Sequence, residues 1–215
     1  MTVNAFDAVV EVGVVPVIAI EDPNHAEPLA DALLEGGLGV AEITFRTNAA
    51  AEVIAKLRDS RPELNVGAGT ILSPDAVRQA MDGGAKFGLA PGYDPEVASA
   101  ADRAGFAFAP GIMTPSDISR ASARGYRLMK FFPAMRAGGP SMLKNISAPF
   151  AHLRLKFIPT GGVTLDNMSD WLSMSQIAAV GGTWIAKPED MAAGDWSGIT
   201  KKASAAVAKA KEVRG

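Results

Sequence analysis

The feature that most constrains what this chain can fold into is a recurrence. Short apolar runs rich in Val, Ile and Phe return every 20-odd residues, eight times in all. They are VVPVIAI (14–20), GVAEITF (39–45), NVGAGTI (65–71), KFGLAPG (86–92), AFAPGIM (107–113), RLMKFFP (127–133), LKFIPTG (155–161) and IAAVGGTWI (177–185). A stretch of helical composition separates each from the next, and the interval is that of one βα unit. Gly36-Gly37, Gly83-Gly84, Gly105 and Gly125 fall just before strands, where a helix end favours a left-handed backbone. Pro74, Pro95 and Pro115 fall near helix starts, and Pro91, Pro110, Pro133 and Pro159 near strand ends, where a missing N–H does least harm.

Strands alternating with helices predict a parallel sheet, and eight units predict its closure into a single-domain (β/α)8 TIM barrel over 1–215. The segment 194–215, which ends in KKASAAVAKAKEVRG, reads as a C-terminal helical segment with cations in its last turns. A doubly wound open sheet is the competing architecture. The regular unit length, and the absence of GxGxxG or GxxxxGK[ST] after the first strand, favour the barrel. With 215 residues, 48% of them hydrophobic, the chain has the length and apolar content for one sizeable core.

Charge and composition then exclude function classes. A balance of 21 basic and 23 acidic residues lacks the cationic excess that binding to a nucleic-acid backbone demands. The absence of cysteine removes disulfides, thiolate zinc sites and cysteine nucleophiles, and His25 and His152 are too isolated for a His-rich metal site or a nucleophilic triad. The opening MTVNAFDAVVEVG has no cationic segment ahead of an apolar one, and the apolar runs break well before a membrane-spanning length. A cytoplasmic protein that binds neither nucleic acid nor membrane is expected.

In a barrel the active site lies at the carboxyl ends of the strands, which sorts the lysines. Lys86 and Lys156 fall at strand beginnings, while Lys187 follows the last strand. Lys130 sits inside Leu128-Met129-Lys130-Phe131-Phe132-Pro133, a strand buried on both faces, where desolvation favours the uncharged amine. Such an amine can attack a ketone to form a Schiff base; a lysine there can equally be one that reaches a buried carboxylate. In the second strand, period-two geometry puts Glu42, Thr44 and Arg46 on one face. Glu42 is a candidate proton shuttle and Arg46 a planar fork for a substrate carboxylate, or the two form a self-satisfying ion pair. On the third strand, Val66, Ala68 and Thr70 share a face, and Gly67 and Gly69 keep the wall thin. Thr160-Gly161-Gly162 and Gly181-Gly182-Thr183 end strands seven and eight, where barrels bind phosphate through backbone N–H groups, unless these are only close turns in a crowded barrel.

With those residues identified, the chain resembles the 2-keto-3-deoxy-6-phosphogluconate (KDPG) aldolase family, which also covers 4-hydroxy-2-oxoglutarate (KHG) cleavage. The matching segments are VPVIAI (15–20), AEITFRT (41–47), GAGTIL (67–72), APG (90–92), PGI (110–112), KFFPA (130–134), PTGGV (159–163) and GGTW (181–184), and they run through nearly the whole chain. The resemblance implies a class I, lysine-dependent aldolase on a (β/α)8 barrel, homotrimeric, with the Schiff base at Lys130 and proton transfer at Glu42. It implies binding of the keto-acid carboxylate by Arg46 and Thr70, and substrate contacts from Pro91, Phe132, Thr160, Gly161, Gly162, Gly182 and Thr183, the threonines and glycines lying near the phosphate. No metal or organic cofactor is implied, because the iminium is the electron sink that a metal supplies in a class II enzyme. KFFP, Thr160 and Trp184 favour the gluconate branch over the phosphogalactonate aldolases, which look more like KIFP. Ala90, Met135 and Thr183 depart from residues common in the family, an acidic one in the case of Met135. A phosphosugar isomerase or epimerase, using Glu42 as an enolising base without an imine, is the enzymatic alternative. A binding or assembly protein on a retained barrel is the non-enzymatic one.

Overall fold

Three successive helices start in the same way, and their starts fix where the preceding loops turn back. Ser73, Asp94 and Thr114 are extended residues whose side chains accept hydrogen bonds from first-turn N–H groups, and a proline follows each. In the computed structural model, which describes residues 5–215, the chain begins α1 (Asp7–Val12), β1 (Val14–Ile18), α2 (Ala26–Glu35), β2 (Val40–Thr44), α3 (Ala50–Ser60), β3 (Asn65–Gly69) and α4 (Pro74–Gly83). It continues β4 (Phe87–Leu89), α5 (Pro95–Ala104), β5 (Phe108–Ala109), β6 (Gly111–Ile112), α6 (Pro115–Ala123), β7 (Leu128–Phe131) and α7 (Gly139–Ser147). The last elements are β8 (Lys156–Pro159), α8 (Met168–Leu172), β9 (Val180–Gly182), α9 (Pro188–Ala192) and α10 (Trp196–Arg214).

Every strand pair is parallel. One hydrogen-bonded set runs β5-β4-β3-β2-β1-β9 and the other β6-β7-β8. Pro110 has no N–H to contribute to a ladder, and the fifth expected strand is accordingly two short pieces, one in each set. At the other side, parallel bridges join Phe157 to Ile177 and Thr160 to Gly181. The result is an α/β fold built on a curled parallel sheet. Its strands are shorter than the apolar runs that announce them, because the last residues of each run leave the ladder to form loops. Gly181 and Gly182 are the last residues of β9, at the strand end where the sequence places them.

Strand alternation separates two cores. Ile18, Ile43, Val66, Ala68, Met129 and Phe157 pack outward against helix residues such as Leu29, Leu33, Ile54 and Leu57. Val15, Val40, Phe87, Leu89, Ala109 and Ile158 pack on the concave side. Helix α1 lies outside the eight expected units: Phe6 and Val9 join the concave cluster and add an apolar floor. Among the described residues no helix is long and apolar enough to cross a membrane.

Phe87 is fully buried in that floor, its ring centroid 5.1 Å from that of Phe6. Phe87→Ala is expected to cost about 3–5 kcal/mol in urea unfolding, from lost burial plus the cavity left behind. A loss under about 1 kcal/mol would mean that the floor is not a packed core.

Candidate active site

Register brings two ionisable side chains from distant strands onto the concave face. Glu42 in β2 lies opposite Val17 of β1 and Gly67 of β3, and Lys130 in β7 lies opposite Gly111 of β6 and Ile158 of β8. Across the interior, Lys130 Nζ donates to Glu42 Oε1 at 2.9 Å, with side-chain exposures of 4% and 1%. Both sequence readings of Lys130 therefore meet in one contact, since the buried carboxylate it reaches is the expected proton shuttle. Glu42 pairs with Lys130 and not with Arg46, which removes the self-satisfying Glu42–Arg46 pair.

Gly69 makes the geometry possible. A methyl group built there would overlap the Glu42 carboxylate, and one built on Gly67 would overlap the Phe87 ring. The carboxylate thus occupies the space a side chain on β3 would fill.

Arg46 and Thr70 reach the rim by a route that alternation does not describe. Arg46 lies beyond the end of β2 at Thr44 and is exposed, and Thr70 lies beyond the end of β3 at Gly69. Val66 and Ala68 face the helices, so continued alternation would have sent Thr70 outward too. Its left-handed backbone, φ +57°, turns the hydroxyl to accept from Arg46 Nε at 3.3 Å. The loop bearing Arg46 is anchored by Thr47, which the sequence reading missed: its Oγ1 donates to the Ile20 carbonyl at 2.6 Å. Thr44, expected to share the site with Glu42 and Arg46, instead donates its hydroxyl to the Ile18 carbonyl at 3.0 Å and serves the sheet. Arg46 has no carboxylate partner among the described residues, so its fork is available to a ligand.

A second group forms around the end of β8. The loop after β7 clasps it through Ala134 N–H to the Thr160 carbonyl at 2.8 Å and Met135 N–H to the Gly161 carbonyl at 3.0 Å. Phe132 is half-buried and its ring lies where a Gly161 side chain would touch it at 3.3 Å. Gly161 and Gly162 have φ +99° and +77°, a pair of left-handed residues that only glycine adopts without strain. Thr160 is buried and bridges Gly181, while Gly182 leaves room for the Trp184 ring, and Thr183 is exposed just past β9. Pro91 is half-buried in the loop after β4, its carbonyl carbon closing over Gly111. Lys187, at the start of α9, is exposed, and its backbone N–H bonds the Asp190 carboxylate at 3.1 Å.

Gly69→Ala is expected to push the Glu42 carboxylate off Lys130. Borohydride trapping of imine formation between pyruvate and Lys130 should then slow by about 100-fold, the scale of a 1 Å misplacement. Gly67→Ala, whose methyl meets Phe87, should destabilise by a similar 1–3 kcal/mol or so while leaving the trapping rate within a few fold. Equal rates in the two variants would dissociate the glycine from the acid.

The family model of the KDPG and KHG aldolases matches residues 7–202. The chain is 40% identical over 197 residues to the 2-dehydro-3-deoxy-phosphogluconate aldolase of Pseudoalteromonas atlantica, a match covering 92% of this chain and 91% of that protein. It is 38% identical over 198 residues to the KHG/KDPG aldolase of Escherichia coli, covering 92% of each. The crystal structure of the KDPG aldolase from Legionella pneumophila, with pyruvate captured as a covalent carbinolamine, superposes with a TM-score of 0.90 at 35% identity, covering 95% of this chain and 98% of that one. Matches over 92–95% of the chain in sequence and in fold, coinciding with a buried Lys–Glu pair on facing strands, assign the chain to the KDPG and KHG aldolase family.

Proposed function

We propose that this protein is a class I aldolase that cleaves 2-keto-3-deoxy-6-phosphogluconate to pyruvate and glyceraldehyde 3-phosphate, and that it also accepts 4-hydroxy-2-oxoglutarate. The observation that carries the reading is the 2.9 Å contact between Lys130 Nζ and Glu42 Oε1 in a dry interior. In the Legionella relative, pyruvate forms a covalent carbinolamine, the first intermediate of imine chemistry. The gluconate name carried by the relatives, together with Thr160 before the glycine pair, supports the gluconate branch.

The chemistry follows from where the proton sits. With its proton on Glu42, Lys130 attacks the C2 ketone, and the carbinolamine loses water as Glu42 returns that proton to the departing hydroxyl. The iminium withdraws the electrons of the C3–C4 bond, and Glu42, ionised by the loss of water, takes the C4 hydroxyl proton as the aldehyde leaves. The enamine takes a proton at C3 through Glu42, and water releases pyruvate and free Lys130. Arg46, positioned by Thr70, clamps the keto-acid carboxylate, and the turn at Gly161-Gly162 with Thr160, Gly182 and Thr183 receives the phosphate. Pro91 and Phe132 complete the walls around the carbon chain. No metal or organic cofactor takes part.

We further infer that the curled sheet closes as a single-domain (β/α)8 barrel over the described residues, 5–215, residues 1–4 of the expected span lying outside them. The Phe157–Ile177 and Thr160–Gly181 bridges, and the continuity of β5 and β6 through Pro110, support closure. A cytoplasmic homotrimer is the assembly we propose, supported by the family resemblance and by exposed apolar side chains such as Leu72, Met113 and Met135.

Lys130→Ala should reduce cleavage to background and take up no pyruvate under borohydride, whereas Lys187→Ala should still gain one adduct at Lys130. An adduct that persists in Lys130→Ala would overturn the assignment. Arg46→Ala should raise KM for the keto acid about 10-fold or more, the value of a charge-assisted hydrogen bond, with a smaller change in kcat.

A further inference from the structure

At the amino ends of β7 and β8, far along the chain fold from the rim that carries Arg46, three cationic side chains surround one cavity that no step at Lys130 uses. The cavity holds about 270 Å³ and is bordered by Arg127, Lys156 and Arg214. Its apolar wall comes from Phe6, Val10, Leu128 and Ile177. No acidic side chain of the described residues lines it.

Among the described residues the three cations are anchored but not neutralised. Arg127 Nη1 donates to the Ser122 and Tyr126 carbonyls at 3.0 Å, and Lys156 Nζ to the Ser175 carbonyl at 2.6 Å. Arg214 donates to the Val10 and Ala178 carbonyls, each at 2.6 Å. Carbonyl oxygens orient these groups and leave further N–H donors on each. Among the described residues none of the three forms an ion pair. Burial draws the Arg214 guanidinium below its ordinary value, with no opposing charge. Beside this excess of positive charge, Val10 stays 44% exposed, an apolar side chain left facing water at the cavity edge. Like charges gathered around an apolar hollow are costly unless an anion joins them.

We propose that this cavity binds a small amphipathic anion, a carboxylate on a short alkyl body, at a site separate from that of Lys130. The head group sits among Arg127, Lys156 and Arg214, and the body lies on Val10, Leu128 and Ile177. The volume, about 270 Å³, is just below the usual range for ligand pockets and suits only a small body, of about five or six carbons. Leu128 packs against the concave floor and stands two residues before Lys130 on the same face of β7, so an occupant touches the strand that carries the reactive amine.

The test is a titration of methyl-labelled protein with hexanoate. Saturable shifts of the Val10, Leu128 and Ile177 methyls are expected with a Kd of about 1 mM, the affinity of one ion-paired head and a short chain. Neutral hexan-1-ol should bind roughly tenfold more weakly, and added salt should weaken hexanoate alone. Arg127→Gln/Lys156→Gln changes two exposed side chains, should melt as the parent does, and should lose roughly tenfold in hexanoate affinity. Arg46→Ala should bind hexanoate as the parent does. Shifts that stay linear, equal binding of hexanoate and hexan-1-ol, or hexanoate binding lost in Arg46→Ala would each overturn the proposal. The last result would put the carboxylate in the keto-acid clamp.

Discussion

Two charges withdrawn from water at the centre of a curled sheet set the terms for the rest of this structure. Lys130 and Glu42 are each almost wholly buried, and their hydrogen bond is what makes the burial tolerable, since stripping one partner from such a pair costs about 3–5 kcal/mol. The pair is separated by 88 residues of chain, so neither local structure nor a single loop can hold it. Only the registers of β2 against β1 and β3, and of β7 against β6 and β8, bring the two atoms together. A one-residue slip in either strand would turn its ionisable side chain into the helix layer, where Ile43 and Met129 now pack.

The rim is organised by different forces from the floor. Below, alternation and close packing decide every position, and Phe87 fills the space that Gly67 gives up. Above, backbone hydrogen bonds continue past the strands and hold the loops: Phe45 N–H reaches the Gly69 carbonyl at 2.8 Å, and Ala134 and Met135 reach Thr160 and Gly161. The arginine fork and the glycine turn are thereby carried on loops that retain sheet-like spacing, which suits the proposed binding of the two ends of one extended substrate.

Much of this was legible in the sequence because it rests on period and punctuation. Lys130 could be read as buried from the apolar run around it and Glu42 as one of a polar face on its strand, and the Ser73-Pro74, Asp94-Pro95 and Thr114-Pro115 starts are written in the chain. What escaped was whatever depends on a break in period. Thr70 comes to Arg46 through a left-handed residue, which a non-glycine side chain does not advertise. Arg46 stands past the strand to which alternation assigned it, and Thr47, off the inward period, anchors the loop by a carbonyl contact 27 residues away. Helix α1 is only six residues long, too short to announce itself by periodicity, and its place in the floor is decided by tertiary packing.

That floor has a consequence for how hydrogen isotopes would travel through the enzyme. Phe6, Val9, Phe87 and Ile158 are at most 6% exposed, and together they block exit beneath the ammonium–carboxylate pair. On the proposed reading, exchange of the pair with solvent therefore runs through the rim that carries Arg46, the side from which the keto acid would come. In that reading a bound molecule would be a stopper in a one-ended vessel, and a deuteron taken up by Glu42 beforehand would be held in with the carbon that is to receive it.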